Sequence, residues 1–258
     1  MERLGETKSN GFTAASLRIW GILLVLAGII GRCILQNTLL GINGANGQQM
    51  LAVLSADPNA MSIAAVALVL QGLEACALPI FALLLAEGFA RTKNWFKYLQ
   101  RVTLVAVLSE APYDLAMNGS LWDMSAQNPC IALVLSIVLL YLYSRFSEPT
   151  AVHRLLKLLI LIAAIIWCEM LQVDHGTPLV ILVAVFYLMR NRTNLRGLAG
   201  AGISMACTII SPFYLTSSMG CLLAHLYNGE KGESNRIINY LAYPILLTSV
   251  WLASNYII

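Results

Sequence analysis

Apolar residues gather into nine long runs, near 16–36, 62–90, 97–116, 129–146, 152–172, 177–190, 196–211, 213–227 and 235–256. In lipid each backbone N–H and C=O must be satisfied within its own segment, so the runs predict membrane helices. The second run is too long for one straight crossing. Either Pro79 kinks it, or residues 62–72 form a separate short helix. The sixth to eighth runs fall below the ~20 residues of a clean span. They are re-entrant or sheltered by neighbours, and 196–227 could be a single bent helix. The predicted fold class is an all-α integral membrane protein, a polytopic helical bundle of eight or nine transmembrane helices.

The polar gaps alternate. Fourteen of the 16 Lys and Arg residues fall before the first run or in the gaps after the second, fourth, sixth and eighth. The gaps near 37–61, 117–128, 172–176 and 212–216 have none. Cationic loops are retained in the cytoplasm, so the pattern predicts nine crossings with the N-terminus inside. A single bent helix over 196–227 would put Arg196 and Lys231 on opposite sides and break it. Turn-forming GINGANG and ADPNA mark 37–61 as a long extracytoplasmic loop. Gly197, Gly200 and Gly202 give the seventh run a small face for close packing.

Composition agrees. The chain is 59% hydrophobic and 11% charged, with mean hydropathy +0.74, far from the ~25% charge of soluble domains. The formal charge of +3 reflects the cytoplasmic loops, and no nucleic-acid partner is expected. The predicted partner is the lipid bilayer of the cell membrane. Residues 1–258 read as one domain with a short cytoplasmic N-terminal segment, 1–15, and an uncleaved first span. The six cysteines show no CxxC or Cys/His spacing, so neither a metal site nor a disulfide framework is expected.

An ionisable group at membrane depth costs about 2.5–3.5 kcal/mol and calls for a partner or a function. Arg32, Glu110, Asp114 and Glu169 are predicted toward the outer end, with Asp174 and His175 just beyond; Glu87, Arg91, Arg101, His225 and Asn228 toward the inner end; Glu74 near mid-depth. Glu110 and Asp114 are four apart and share a helix face. Arg32 is the only cation expected at their depth, so it is predicted to face them, as an outward-opening site or as a structural ion-pair network. Glu87 and Arg91 form an i,i+4 pair, either local or part of a cytoplasmic mouth in which Arg91, Lys93, Lys97 and Arg101 meet an anionic group such as a phosphate. His175, in VDHGTP, is either a solvated loop residue or a proton-transfer group. His225 caps its helix or lines the inner mouth. There is no nucleotide-binding glycine loop, GxSxG or HExxH.

PIFALLLAEGFARTKNWFKYLQR (79–101), SEAPYDLA (109–116), QNP (127–129), DHG (174–176), LYNGEKG (226–232) and YLAYPILL (240–247) occur in an order and spacing that resemble the TraX family. These are membrane proteins named for the acetylase of conjugative pilin, and the resemblance covers roughly 62–258. It implies kinship with multispanning acyltransferases of the inner membrane, which move an acyl group, usually from acetyl-CoA at the cytoplasmic side, to an acceptor in or across the membrane. The positions that match are Glu87, Arg91, Arg101, Glu110, Tyr113, Asp114, Asn128, Asp174, Gly176, Asn228, Gly229 and Gly232. On this reading Glu87, Arg91, Arg101, Asn228 and Gly229 bind the coenzyme, while Glu110, Asp114 or His175 assist an unidentified acyl acceptor.

Two departures stand out. The family carries an Asp-His pair before an Ile-Gly in the first span, where this chain has Gly28-Ile29; its Tyr-Pro-x-His ending is Tyr243-Pro244-Ile245-Leu246 here. Acyl transfer to a hydroxyl or amine generally needs a base. Three readings follow: an acyltransferase using acetyl-CoA, a catalytically degenerate binding protein, and a small-solute transporter whose pathway is marked by Arg32, Glu110 and Asp114.

Overall fold

The computed structural model describes residues 11–43, 45–233 and 235–256, Asn194 and Arg236 by their backbone alone. Among them are helices and no strand. The first run is α1 (Ala14–Ile29), which widens into a π-helical segment (Ile30–Leu39). The loop after it contains a helix the apolar pattern does not show, α2 (Gly47–Ala56). It is set by a capping box in which Asn46 and Gln49 each bond the other's backbone N–H.

The long second run divides at Cys76 into α3 (Ala60–Ala75) and α4 (Ala77–Arg91). The break lies just before Pro79 because proline has no N–H for the carbonyl four residues back and its ring crowds that carbonyl. The remaining helices are α5 (Trp95–Asn118), α6 (Cys130–Arg145), α7 (Ala151–Met170), α8 (Gly176–Leu188), α9 (Thr193–Ala206), α10 (Tyr214–His225) and α11 (Arg236–Ser254). Polar caps at the predicted gaps start three of them, α5, α7 and α11: Asn94 accepts from Lys97 N–H, Thr150 from His153 N–H and Asn235 from Ile237 N–H. Residues 196–227 are therefore two helices, α9 and α10, packed against each other. A Cβ on Gly197 would lie 2.9 Å from the Cβ of His225, and one on Gly200 2.7 Å from Phe186, so both permit close approach; Gly202 meets nothing within 4 Å.

The protein is a helical membrane protein. Ala14–Leu39, Ala60–Arg91, Ala151–Met170 and Ile237–Ser254 are long and apolar enough to cross a bilayer. Length therefore supports four spans rather than eight or nine; the higher count requires the three shorter apolar helices, and α5 and α10 as well, to cross too. One of these, α8, has only 13 residues, but Val180, Leu182 and Val183 are 0% exposed, so it is wrapped by protein. By contrast α7 turns Leu155, Leu158, Leu159, Ile162 and Ile166 outward.

Loop contacts follow the charge pattern. Phe12 exchanges backbone hydrogen bonds with Leu226 and Asn228, and Ala14 and Ala15 donate to Glu230 and Lys231, all in gaps rich in cations. Gln127 exchanges bonds with Gln172 and Asp174, and Asn37 Nδ2 donates to Met117, all in gaps without Lys or Arg.

Candidate functional site

A cavity of about 370 Å³ lies among α1, α4, α5 and α11. Arg18, Arg101 and Lys231 line it at the cation-rich end. Its wall is then mostly apolar, with Val25, Phe81, Leu84 and Leu246 among its residues. The opposite end is formed by Glu74 of α3, the start of α6 at Pro129 and Cys130, and His175 before α8.

The polar end is a network. Arg32, in the π-helical segment, donates to Asp174 Oδ2 at 2.6 Å and lies 3.5 Å from Glu74 Oε2. Tyr113 Oη donates to the same Asp174 oxygen at 3.0 Å. His175 Nδ1 pairs with Tyr214 Oη at 3.0 Å, and its Nε2 stands 3.7 Å from Asp174 Oδ1. Burial alone would raise the Asp174 carboxyl, but Arg32, His175 and the Tyr113 hydroxyl outweigh it and hold the group below the usual carboxylate range. Asp174 is therefore the settled partner of Arg32. Glu74 Oε2 and His175 Nε2 are buried with no hydrogen-bond partner. Leaving such an atom unmade costs roughly 1–3 kcal/mol, and both groups line the cavity. This is the arrangement of a site that receives a polar group.

The DHG tripeptide is explained by this geometry. His175 occupies the left-handed region at φ +54°, uncommon for a residue with a side chain. The bonds of Gln127 to both sides of the turn hold it there. Gly176 must be glycine because a Cβ would sit 2.9 Å from that of Cys168 and 3.0 Å from that of Val173.

The expected pairing of Arg32 with Glu110 and Asp114 is overturned. Shared depth does not fix direction around a helix axis. Arg32 faces α3 and the 171–175 turn, and that turn folds inward instead of lying beyond the bundle. Glu110 accepts a short hydrogen bond from Asn128 Nδ2, which also donates to Ala106 O. Asp114 accepts from the Asp123 N–H at 3.0 Å and anchors the loop after α5. Neither lines the cavity, whereas His175 does.

The expected convergence of Glu87, Arg91, Arg101, Asn228 and Gly229 on one coenzyme-binding cavity is not found: of the five only Arg101 lines the cavity, and Glu87, Arg91 and Gly229 are joined in a separate knot. Arg91 Nη2 donates to Glu87 Oε2 at 3.0 Å and to Gly229 O at 2.8 Å. Arg196, 3% exposed, donates to Glu87 Oε1 at 3.1 Å. Asn228 Oδ1 accepts from the Glu230 N–H in the same loop. Arg101 stands apart from this knot, in the cavity wall; Glu87, Arg91, Asn228 and Gly229 do not line it. His225 packs against Gly197 of α9.

Sequence reasoning placed Glu74 near mid-depth without giving it a role in the site, and did not single out Tyr214, Arg18 or Lys231 for it. A signal for Glu74 existed. A Cβ on Gly28 would fall under 3.0 Å from the Cβ, Cδ and Oε2 of Glu74. The carboxylate fills space that an acidic side chain would take at position 28, where the TraX resemblance expects one. Leu246, at the position of the expected histidine, shares the cavity wall with His175. Acid and imidazole thus reach the same space from other helices.

No curated protein and no solved structure matches the chain. The family model described as "TraX protein" matches residues 49–254. That range takes in most of α2, most of the cavity wall, the DHG turn and the loop before α11 that carries Lys231. Motifs, spacing and this match over most of the chain agree: the chain belongs to the TraX family.

Proposed function

We propose that the protein is a membrane acyltransferase that takes a short acyl group from acyl-CoA entering at the cation-rich, cytoplasmic end and passes it to an acceptor near His175. One observation carries this reading. A single cavity has Arg18, Arg101 and Lys231 at one end and, at the other, Glu74 Oε2 and His175 Nε2, which make no hydrogen bond and only the longer ion-pair contacts to Arg32 and Asp174.

The residues fit the donor. Three cations suit its phosphates, and the apolar shaft suits its uncharged arm. Within α4, eleven residues separate Ala77 from Gly88 in the wall, about 16 Å at 1.5 Å per residue. The arm between phosphate and sulfur is on the order of 15 Å by standard bond lengths. The thioester would then reach the polar end.

His175 supplies the base. In the tautomer that places the proton on Nδ1, toward Tyr214 Oη, Nε2 keeps its lone pair at a residue that lines the cavity. Nε2 takes the acceptor's proton as the acceptor attacks the thioester carbonyl and the carbon–sulfur bond breaks. Asp174, kept ionised by Arg32, lies 3.7 Å from Nε2 and stabilises the imidazolium. Glu110 and Asp114 hold the α5 loop in place. The bundle crosses the cell membrane nine times with its N-terminus cytoplasmic, in line with the segregated loop contacts.

The test is release of free coenzyme A from acetyl-CoA by purified protein in nanodiscs, with candidate hydroxyl and amine acceptors. Turnover is expected, and His175→Asn should lower it about 10²–10⁴-fold. Binding of coenzyme A without turnover by any acceptor would instead make the protein a degenerate binder. Transport of a solute with the thioester intact would make it a transporter. Either result would overturn the catalytic reading.

A further inference from the structure

Lys231 reaches the cavity mouth on a strap, residues 227–233, that crosses the cation-rich end. Two sets of contacts tie the strap down. On the α1 side, Asn228 N–H donates to Phe12 O, and Ala14 and Ala15 donate to Glu230 O and Lys231 O at 2.8 and 3.1 Å. On the α4 side, Arg91 Nη2 donates to Gly229 O at 2.8 Å. The chain reverses at Gly229 and Gly232, with φ of +84° and +65°. A Cβ on Gly232 would also lie 2.6 Å from Thr13 Oγ1, so the strap sits flush on the α1 cap.

Arg91 itself does not line the cavity. Its guanidinium is engaged by a backbone carbonyl and by Glu87, whose other oxygen accepts from Arg196, 3% exposed. A chain of hydrogen bonds thus runs from α9 through Glu87 and the half-exposed Arg91 to the strap.

We propose that Arg91 is a positioning residue. It holds the strap so that Lys231 completes a three-cation phosphate site with Arg18 and Arg101, and it does not contact the phosphates. This rests on the acyl-CoA reading above for the identity of the ligand. The strap geometry does not.

The test uses the full-length protein in detergent and coenzyme A itself as the probe, so no turnover is required. Affinities are measured for the parent, Arg91→Ala, Lys231→Ala and the double variant. Hydrogen exchange is followed at the Ala14, Ala15 and Asn228 amides. Each single change is expected to weaken binding about tenfold, with the double variant no weaker than the worse single, because one residue acts through the other. Arg91→Ala should speed exchange at those three amides and leave the rest of the bundle unchanged; Lys231→Ala should not, since its tie is through its backbone carbonyl. Losses that multiply in the double variant would show that Arg91 touches the ligand and would overturn the proposal. So would unchanged exchange in Arg91→Ala. A parent that does not bind coenzyme A would sink the functional reading and the phosphate site with it, while the exchange data would still decide whether Arg91 holds the strap.

Discussion

The junction of Gly28 and Glu74 offers a sharp test, because the clash there lies between atoms that cannot rotate away. A methyl at position 28 would sit under 3.0 Å from Glu74 Cβ as well as from Cδ and Oε2. A long side chain can swing its carboxylate aside, but a Cβ moves only with its backbone. In Gly28→Ala, therefore, α1 and α3 must separate, loosening the packing around Leu17 and Ile29, both 0% exposed. Overpacking of this kind costs about 1–3 kcal/mol. The 3.5 Å ion pair between Glu74 and Arg32 is strained at the same time. For a chain of this size 1 kcal/mol moves the melting temperature by about 2–4 °C, so a fall of ~2–12 °C is expected. Gly202 is the control: it lies within α9 and meets nothing within 4 Å. Alanine there should stabilise by roughly 0.5–1 kcal/mol through helix entropy. The assay is thermal unfolding of both variants in one detergent, followed by a thiol-reactive dye that reports exposure of the six buried cysteines. If Gly28→Ala melts with the parent, or if Gly202→Ala falls as far, the Glu74 placement is wrong.

Two further outcomes follow from the same geometry. Asp174→Asn should destabilise by up to about 3–5 kcal/mol by leaving Arg32 buried with only the 3.5 Å contact to Glu74. Because the folded carboxyl of Asp174 lies below its unfolded value, its contribution is present above the ordinary carboxylate range and is lost as pH falls through and below it. The parent should therefore lose stability below about pH 4 more steeply than Asp174→Asn, and equal slopes in acid melts would exclude the pair. Reporter fusions after residues 95, 121 and 150 should read inside, outside and inside; a cytoplasmic signal at 121 would break the nine-crossing topology.

Much of the bundle was legible because membrane insertion writes it in the strongest terms a sequence has, apolar length and the placement of cations. The nine runs locate helices to within a few residues, and the loops that touch are those the charge pattern grouped. What escaped was local. The capping box that starts α2 is an Asn and a Gln in a polar loop, with no apolar run to flag them. The break at Cys76, by contrast, was legible from Pro79 three residues on.

The site was legible to the extent that burial is costly and illegible where direction matters. Counting ionisable groups by depth found Arg32, Glu74, Asp174 and His175, which the structure brings together, but gave Arg32 the wrong partners. Glu110 and Asp114 share its depth, yet their turns of α5 meet Asn128 and the 123 loop. The residue of α5 that reaches the network is Tyr113, through Asp174.

The same distinction bears on the two departures from the family pattern. Read along the chain, Gly28 and Leu246 are lost functional groups. Read in space, the missing side chain at 28 is what admits Glu74, and the wall that includes Leu246 also includes His175. A catalytic constellation is defined by which atoms face one cavity, and helices on different sides of a bundle can each supply them. On that view Glu74 and Gly28 should change together: an acidic side chain at 28 is compatible with this packing only if residue 74 is small. Gly28→Asp combined with Glu74→Gly should therefore fold and keep more of its coenzyme A release than either single change. A double variant no better than Gly28→Asp alone would show that the two positions do not share one space.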